Sequence, residues 1–203
     1  MRVVVVGCEY SGVTTLINGI NEWGNSRGVH HHLDDHFTIP DAYHLSQDEQ
    51  SAMLSMLPAI KERFQRFQLV YHVRLLHRFE HILLGGFHIE EMVYGPRYYY
   101  PGINIEVREY EPEMPDDTIL VHLTASAEKL QERMRSDPHP HQLVGEGDVP
   151  EILGRFEDEV RLSWISRKVK IDTTECTPGQ LLDAFLSESQ PLLNNRDMLT
   201  RLA

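Results

Sequence analysis

The tightest constraint on how this chain can fold lies at its start. Four consecutive valines, Val3 to Val6, run into the glycine loop Gly7-Cys8-Glu9-Tyr10-Ser11-Gly12, and a helical pattern follows. A β-branched run without polar alternation has to be covered on both faces, which is the situation of a central strand in a parallel sheet. From Thr14 to Trp23, Leu16, Ile17 and Ile20 recur at helical spacing, and Gly24 closes the segment. Strand, glycine loop and helix in that order predict the opening of a doubly wound sheet, whose ligands bind beyond the carboxyl ends of its strands.

The rest of the chain repeats the alternation. Gly28 to Leu33 predicts a second strand ending at Asp34-Asp35, and Ser46 with Glu49 has capping-box spacing before a short helix that Pro58 interrupts. Between Ala59 and Phe79, Ile60, Phe64, Phe67, Tyr71 and Leu75 form one apolar stripe about five turns long. His81 to Phe87 predicts a third strand. Tyr94 to Asp117, rich in Gly and Pro and holding six acidic residues from Glu106 onward, predicts an excursion over the surface. Thr118–Thr124 predicts a fourth strand, Ser126–Arg135 a helix, Pro150–Ser166 another, and Val169–Asp172 a fifth strand. Thr177, Pro178 and Gln180 supply the cap, first-turn proline and box partner of a last helix through Leu186. The expected architecture is a three-layer α/β/α fold with a five-stranded parallel sheet and a small lid. It is a single domain over residues 1–203, with a lid loop at 136–149 and a peripheral tail from Pro191.

Composition narrows the function classes. With 19 Lys plus Arg against 31 Asp plus Glu, the net charge of −12 works against an extended nucleic-acid surface, which needs clustered cations to displace counterions. No apolar run approaches the roughly 18 residues that span a bilayer, and Glu9 interrupts the opening too early for a signal peptide. Two cysteines, Cys8 and Cys176, have neither disulfide-framework nor zinc spacing. The expectation is a soluble, cytoplasmic protein with no nucleic-acid or membrane partner; a homodimer is compatible with it.

The loop Gly7, Cys8, Glu9, Tyr10, Ser11, Gly12, Val13, Thr14 matches the phosphate-loop pattern GxxxxGK[ST] except at the lysine, where Val13 stands. Loop amides and the helix N-terminus would face an anion, with Thr14 placed for magnesium and Thr15 beside it. Removing one charge-assisted contact from a phosphoryl-transfer site costs several kcal/mol of transition-state stabilisation, so an arginine compensates or chemistry is slow. A plain strand-to-helix turn also needs glycines, so the loop alone does not decide between these readings.

On these residues the chain resembles the P-loop nucleoside and nucleotide kinase superfamily, thymidylate kinase-like and uridine kinase-like, with a degenerate Walker A motif. Asp34-Asp35-His36-Phe37 stands where the uridine kinase and phosphoribulokinase branch has an acidic pair. That pair accepts the acceptor's hydroxyl proton or orients magnesium. Glu90-Glu91 follows the third strand where thymidylate and deoxynucleoside kinases carry an acidic residue, with Arg97 the nearest candidate for its missing arginine. VHLTASAEKLQERMRSDP resembles the strand, helix and lid start that bear phosphate-binding arginines, which maps that role to Arg133 and Arg135. KIDTTECTPGQLLDAFL resembles the last strand and helix. The resemblance implies ATP or GTP with Mg2+ on the loop, Thr14 and Asp35 at the metal, and Asp34 or Asp35 as base. Glu90, Glu91, Arg97 and Tyr98 would lie on the side of a nucleoside or nucleotide acceptor.

Each assignment has a plainer counterpart. Adjacent aspartates commonly cap turns, Glu90-Glu91 fits a surface helix start, and Tyr98 to Tyr100 can pack a loop as well as stack a base. His30 to His32 alternate faces and cannot converge on one ion, and His139-Pro140-His141 lacks a third ligand at a defined spacing. Arg133 and Arg135, two apart, do not share a helix face. At the level of function, the counterpart is a catalytically impaired kinase-fold protein that senses nucleotide or binds a protein. A GTPase switch is disfavoured because no NKxD or DxxG motif occurs.

Overall fold

The computed structural model describes residues 1–35, Ile39, 45–139 and 142–202, with backbone alone at 200–202. Strands β1 (Arg2–Gly7), β2 (His32–Asp35), β3 (Ile82–Gly85), β4 (Thr118–Thr124) and β5 (Arg167–Asp172) form one sheet in the order β2-β3-β1-β4-β5. Every neighbouring pair is parallel. Helices α1 (Val13–Asn25), α2 (Gln47–Leu54), α3 (Pro58–Arg78), α4 (His88–Tyr94), α5 (Ala127–Ser136), α6 (Val149–Leu162), α7 (Pro178–Ser189) and α8 (Asn195–Leu202) join and flank the strands.

The valine run is unbroken because β1 lies in the middle of the sheet between two helical layers. Val3 and Val5 pack with Leu16 and Ile20 of α1 and Leu181 and Phe185 of α7. Val4 and Val6 belong to the opposite core, with Leu69 and Leu76 of α3, Ile89 and Val93 of α4, and Ile152 and Phe156 of α6. All four valines are fully buried, and each such side chain contributes roughly 1.5–3 kcal/mol by leaving water. Both anticipated capping boxes are present, Ser46 with Glu49 on α2 and Thr177 with Gln180 on α7. No helix among the described residues is long and apolar enough to cross a membrane.

Several expectations are corrected. The second strand begins at His32, because Gly28, at φ 72, still belongs to the turn in which the Val29 N–H returns to Gly24 O at 3.0 Å. Tyr94–Asp117 is not a surface excursion: a π-helical turn (Gly95–Tyr99) and a 3-10 turn (Arg108–Glu113) bury Tyr94, Tyr99, Tyr100, Ile105, Val107 and Tyr110 in the core. Its acidic stretch is not wholly solvated either. Glu111 is buried, accepting from His88 Nε2 at 2.8 Å and from the Trp164 N–H. In the tail from Pro191, Asp197 of α8 is buried against the Met1 amino group at 2.7 Å. In α3, Ile60, Phe64, Phe67 and Tyr71 of the expected stripe are exposed and its Leu75 is buried, while Glu62, Gln65, Leu69, His72, Val73 and Leu76 also face inward. The helix carries two apolar faces, and the sheet takes the one mixed with polar residues. His36, Phe37, Pro140 and His141 lie outside the described residues.

Candidate functional site

The site is built where β1 delivers the chain into α1. Gly7 pairs with Leu123 of β4, and a Cβ on it would lie 2.4 Å from Ser11 Oγ and 2.5 Å from Leu123 O, so no larger residue fits. The Ser11 N–H returns to Cys8 O at 2.9 Å, and Tyr10 (φ 67) and Gly12 (φ 102) take the left-handed conformation that turns the chain into the helix. No side chain caps α1 and its first turn holds no acid. The leading N–H groups of that helix are thus unopposed by any carboxylate of its own, the arrangement that favours a bound anion. Thr14 and Thr15 are exposed on that first turn. Ser11 Oγ is buried in the loop with no hydrogen-bond partner among the described residues.

Val13 fills the lysine position. A Cβ built on Gly85, at the end of β3, would be 3.6 Å from Val13 Cγ1 and 3.5 Å from Asp35 Cβ, so the loop and the end of β2 flank the same glycine. The two aspartates part company there, as successive residues of a strand must. Asp34 lies 3.7 Å from His72 Nε2 and 3.8 Å from His32 Nε2. Partial burial raises its pKa, but the neighbouring His72 outweighs that and leaves it lowered. Asp35 is exposed on the loop side.

Carboxylates crowd the loop. The Glu90 acid is pushed up to about 8, first by burial and then by the charges of Glu9, Glu91 and Asp35, so it keeps its proton at neutral pH. Glu91 is buried and accepts the Tyr100 hydroxyl. The Tyr94 hydroxyl accepts the Glu9 N–H at 3.0 Å, which diverts one loop amide from any ligand. Burial, then the Glu9 charge, pushes the Cys8 thiol up to about 12, so it is not a nucleophile near neutrality.

The arginines brace this geometry. Arg133 donates to Tyr10 O at 2.9 Å and to Thr173 O at 2.6 Å, and Thr173 Oγ1 donates to Ser11 O at 2.9 Å. Arg135 pairs with Glu146 at 2.7 Å, and Arg97 with Asp148 at 2.7 Å and Glu151 at 2.6 Å. Tyr98 lies against Tyr94 and reaches Asp148, and Arg155 donates to Met92 O. None of these guanidinium groups takes the place of the lysine ammonium.

The segment after α5 lies over the loop. Glu9 accepts from the Val144 N–H at 2.9 Å and the Leu143 N–H at 3.1 Å. Tyr10 donates to Gln142 Oε1 at 3.0 Å, accepts the His139 N–H at 2.8 Å and stacks on the His139 ring at 4.2 Å. Sequence reasoning missed these contacts of the segment after α5 and the brace at Thr173. They join positions some 130 residues apart through backbone groups, which leave no mark in the sequence. Glu9 itself was visible only as an odd acid inside an anion-binding loop.

Among the described residues no three His, Cys, Asp or Glu converge into a cage for a metal. Thr14 and Asp35 are both exposed oxygen donors, the ligand type that magnesium takes.

No protein-family model and no curated protein matches this chain. Solved structures do. The YorR protein of Bacillus subtilis, in complex with phosphorylated GDP, superposes with TM-score 0.64 at 12% identity over 96% of this chain and 100% of that one. Deoxyadenosine kinase from M. mycoides with bound dATP gives 0.59 at 13% identity over 93% and 98%. Shikimate kinase from Bacteroides thetaiotaomicron gives 0.57 at 14% identity over 95% and 98%. The fold is that of the P-loop kinases.

Proposed function

We propose that the chain is a phosphotransferase of the nucleoside and nucleotide kinase type, which passes the terminal phosphate of ATP or GTP to a small hydroxyl-bearing acceptor. The reading rests on one observation: an uncapped helix N-terminus and its loop share the carboxyl ends of β1, β2 and β3 with an exposed Asp35 and a proton-bearing Glu90.

In this reading the loop from Gly7 to Thr15 binds the phosphates through backbone amides, and Arg133 holds the loop in shape from behind. Magnesium at Thr14 and Asp35 supplies the neutralising charge that Val13 does not. Asp35 receives the proton of the acceptor hydroxyl, while Asp34, engaged by His72, positions the end of β2. Glu90, neutral at pH 7, donates a hydrogen bond to an anionic oxygen, so it relieves part of the repulsion its neighbours create. Glu91 is held by Tyr100 on the acceptor side, with Arg97 and Tyr98. Arg97 and Arg135 both hold the C-terminal end of the lid, through Asp148 and Glu146, and closure excludes water from the transfer.

A second reading is favoured by Val13 and by Glu9 on the lid amides: a kinase-fold protein that binds nucleotide without transferring phosphate. Thermal unfolding with millimolar ATP or GTP, with and without magnesium, followed by an acceptor panel read for phosphorylated product, separates the two. A ligand at 100 times its Kd adds about 2.7 kcal/mol, which raises Tm by roughly 5–10 °C in a chain of this size. A magnesium-dependent shift with turnover supports transfer, and the same shift without turnover selects the binding protein. No shift for either triphosphate removes both.

A further inference from the structure

Between β3 and α4 the backbone takes a conformation that suits glycine and few other residues. Gly86 stands at φ 73 and Phe87 at φ 76 with ψ −147, and Phe87 is fully buried. A bulky side chain persists in that region only where its surroundings over-determine it. Here they do so from two sides. The Gly86 N–H donates to Val5 O of β1 at 2.8 Å, and the Phe87 ring meets the rings of His72 at 5.4 Å and His88 at 4.9 Å edge to face. His88, the first residue of α4, is itself fully buried, and its Nε2 lies 2.8 Å from Oε1 of Glu111, whose other oxygen accepts the Trp164 N–H. Nδ1 of the same ring is buried with no hydrogen-bond partner among the described residues. A leucine would fill this space without stranding a ring nitrogen or taking a carboxylate out of water, so packing does not account for the pair.

We propose that His88 and Glu111 are a positioning pair: by pinning the start of α4 in the interior they hold the turn at Gly86-Phe87 in its strained form and so aim Glu90 at the glycine loop. The proposal rests on the reading of Glu90 as part of the nucleotide site. Helix geometry links the two ends of the argument. Residues two apart on a helix lie roughly 200° apart, so His88 held in the interior turns Glu90 to the other side, toward the charges of Glu9 and Asp35. The Glu91 N–H donates to Phe87 O at 3.0 Å, which ties the first turn of α4 to the strained residue. With the pair broken, Phe87 is free to return to an ordinary φ, and α4 turns with it. Glu111 is supplied by the 3-10 turn Arg108–Glu113, and Lys168 of β5 is the other charge that faces it. The brace on Glu90 therefore comes from elements on the far side of α4 from the loop.

The test is the carboxyl 13C signal of Glu90 in the full chain labelled on glutamate, assigned by its loss in Glu90→Gln and read at pH 7 in the wild type, His88→Leu and His88→Gln. The glutamine keeps an N–H to offer Glu111, and the leucine offers none. The ionisable groups that face Glu90 are Glu9 and Cys8 of the loop, Asp35 of β2, Glu91 and Tyr94 of α4, and Tyr99. Neither His88 nor Glu111 is among them, so a changed signal reports geometry and not a lost charge. The protonated signal is expected in the wild type and in His88→Gln, and the ionised one in His88→Leu. Magnesium-ATP should bind His88→Leu about tenfold or more weakly than the other two, as the loss of one hydrogen bond to a charged group implies. A folded His88→Leu whose Glu90 keeps its proton overturns the proposal, as does a wild type whose Glu90 is ionised at pH 7. A His88→Gln that behaves like the leucine variant overturns the hydrogen bond as the contact that holds the turn. Should far-UV circular dichroism show His88→Leu unfolded, Glu111→Gln, which leaves one oxygen for two donors, decides in its place by the same signal. A wild type that binds no triphosphate removes the nucleotide reading and leaves the Glu90 signal to decide this one.

Discussion

Glu90 and Asp35 are two carboxyl groups at one mouth in opposite environments. Burial and three neighbouring negative charges keep the proton on Glu90 up to about pH 8, while Asp35 stays exposed. Divergent environments for paired carboxyls are how a site holds an acid beside a base. Nucleotide binding should therefore weaken as pH rises through about 8, when Glu90 loses its proton and a further negative charge faces the phosphates. The Glu90→Gln variant, neutral at every pH, should bind with a flat profile between pH 7 and 9; equal pH dependence in variant and wild type would sink the assignment. Glu90 was visible in the sequence as an acid after the third strand, but its protonation was not. That depends on Glu9 and Asp35, which reach it from two other elements. Val13 was legible as a missing charge, whereas Tyr10 at φ 67 was not, since a tyrosine gives no sign of a left-handed backbone.

At the scale of elements, the glycine loop and the segment after α5 are joined by a carboxylate. Glu9 is raised in pKa by burial, although the N–H groups of Val144 and Leu143 oppose the rise. A hydrogen bond to a charged acceptor contributes roughly 1.5–3 kcal/mol, so the segment over the loop owes much of its hold to this residue. Glu9→Gln should raise amide exchange at Leu143 and Val144 about tenfold or more, with exchange in β1 and β4 unchanged. Exchange that rises equally in the strands would mean global destabilisation instead. The elements themselves were largely legible, because Val3–Val6, the capping boxes at Ser46 and Thr177, and the strand Thr118–Thr124 are local signals. What local pattern does not encode is which of two apolar faces is buried. α3 turns Glu62, Gln65 and His72 inward, where His72 meets Asp34 of β2, a contact that hydrophobic periodicity cannot register. The same limit hid the buried tyrosines of Tyr94–Tyr110 behind their glycines, prolines and acids.

For the whole molecule, buried titratable groups on opposite sides of neutrality set the pH at which the fold is most stable. His31 and His122 are both lowered to about 4, His31 by burial and nearby positive charge and His122 by burial against a weaker pull from Glu157. Unfolded, each takes up a proton near its ordinary 6.5, so the stability they contribute is complete above that pH and is lost as pH falls toward 4. Glu90 runs the other way: raised from 4.5 to about 8, its contribution is complete below 4.5 and is lost as pH climbs through 8. Between 4.5 and 6.5 the histidines, His81 among them, raise stability with pH against the carboxyls of Glu90 and Glu9, both held above their ordinary pKa. Above 6.5 Glu90 lowers stability, at up to about 1.4 kcal/mol per pH unit less whatever solvent contact it retains, while the Met1 amino group, lowered from 8.0 by burial, acts in the opposite direction. In urea unfolding at half-unit intervals the wild type should therefore lose about 1–2 kcal/mol relative to Glu90→Gln between pH 6.5 and 8. Glu90→Gln should level the alkaline limb and leave the acid limb steep, and His122→Phe should make the acid limb shallower without touching the alkaline one. An alkaline limb identical in wild type and Glu90→Gln would mean that Glu90 ionises freely in the folded chain, and the proton it is proposed to donate at the loop would go with it.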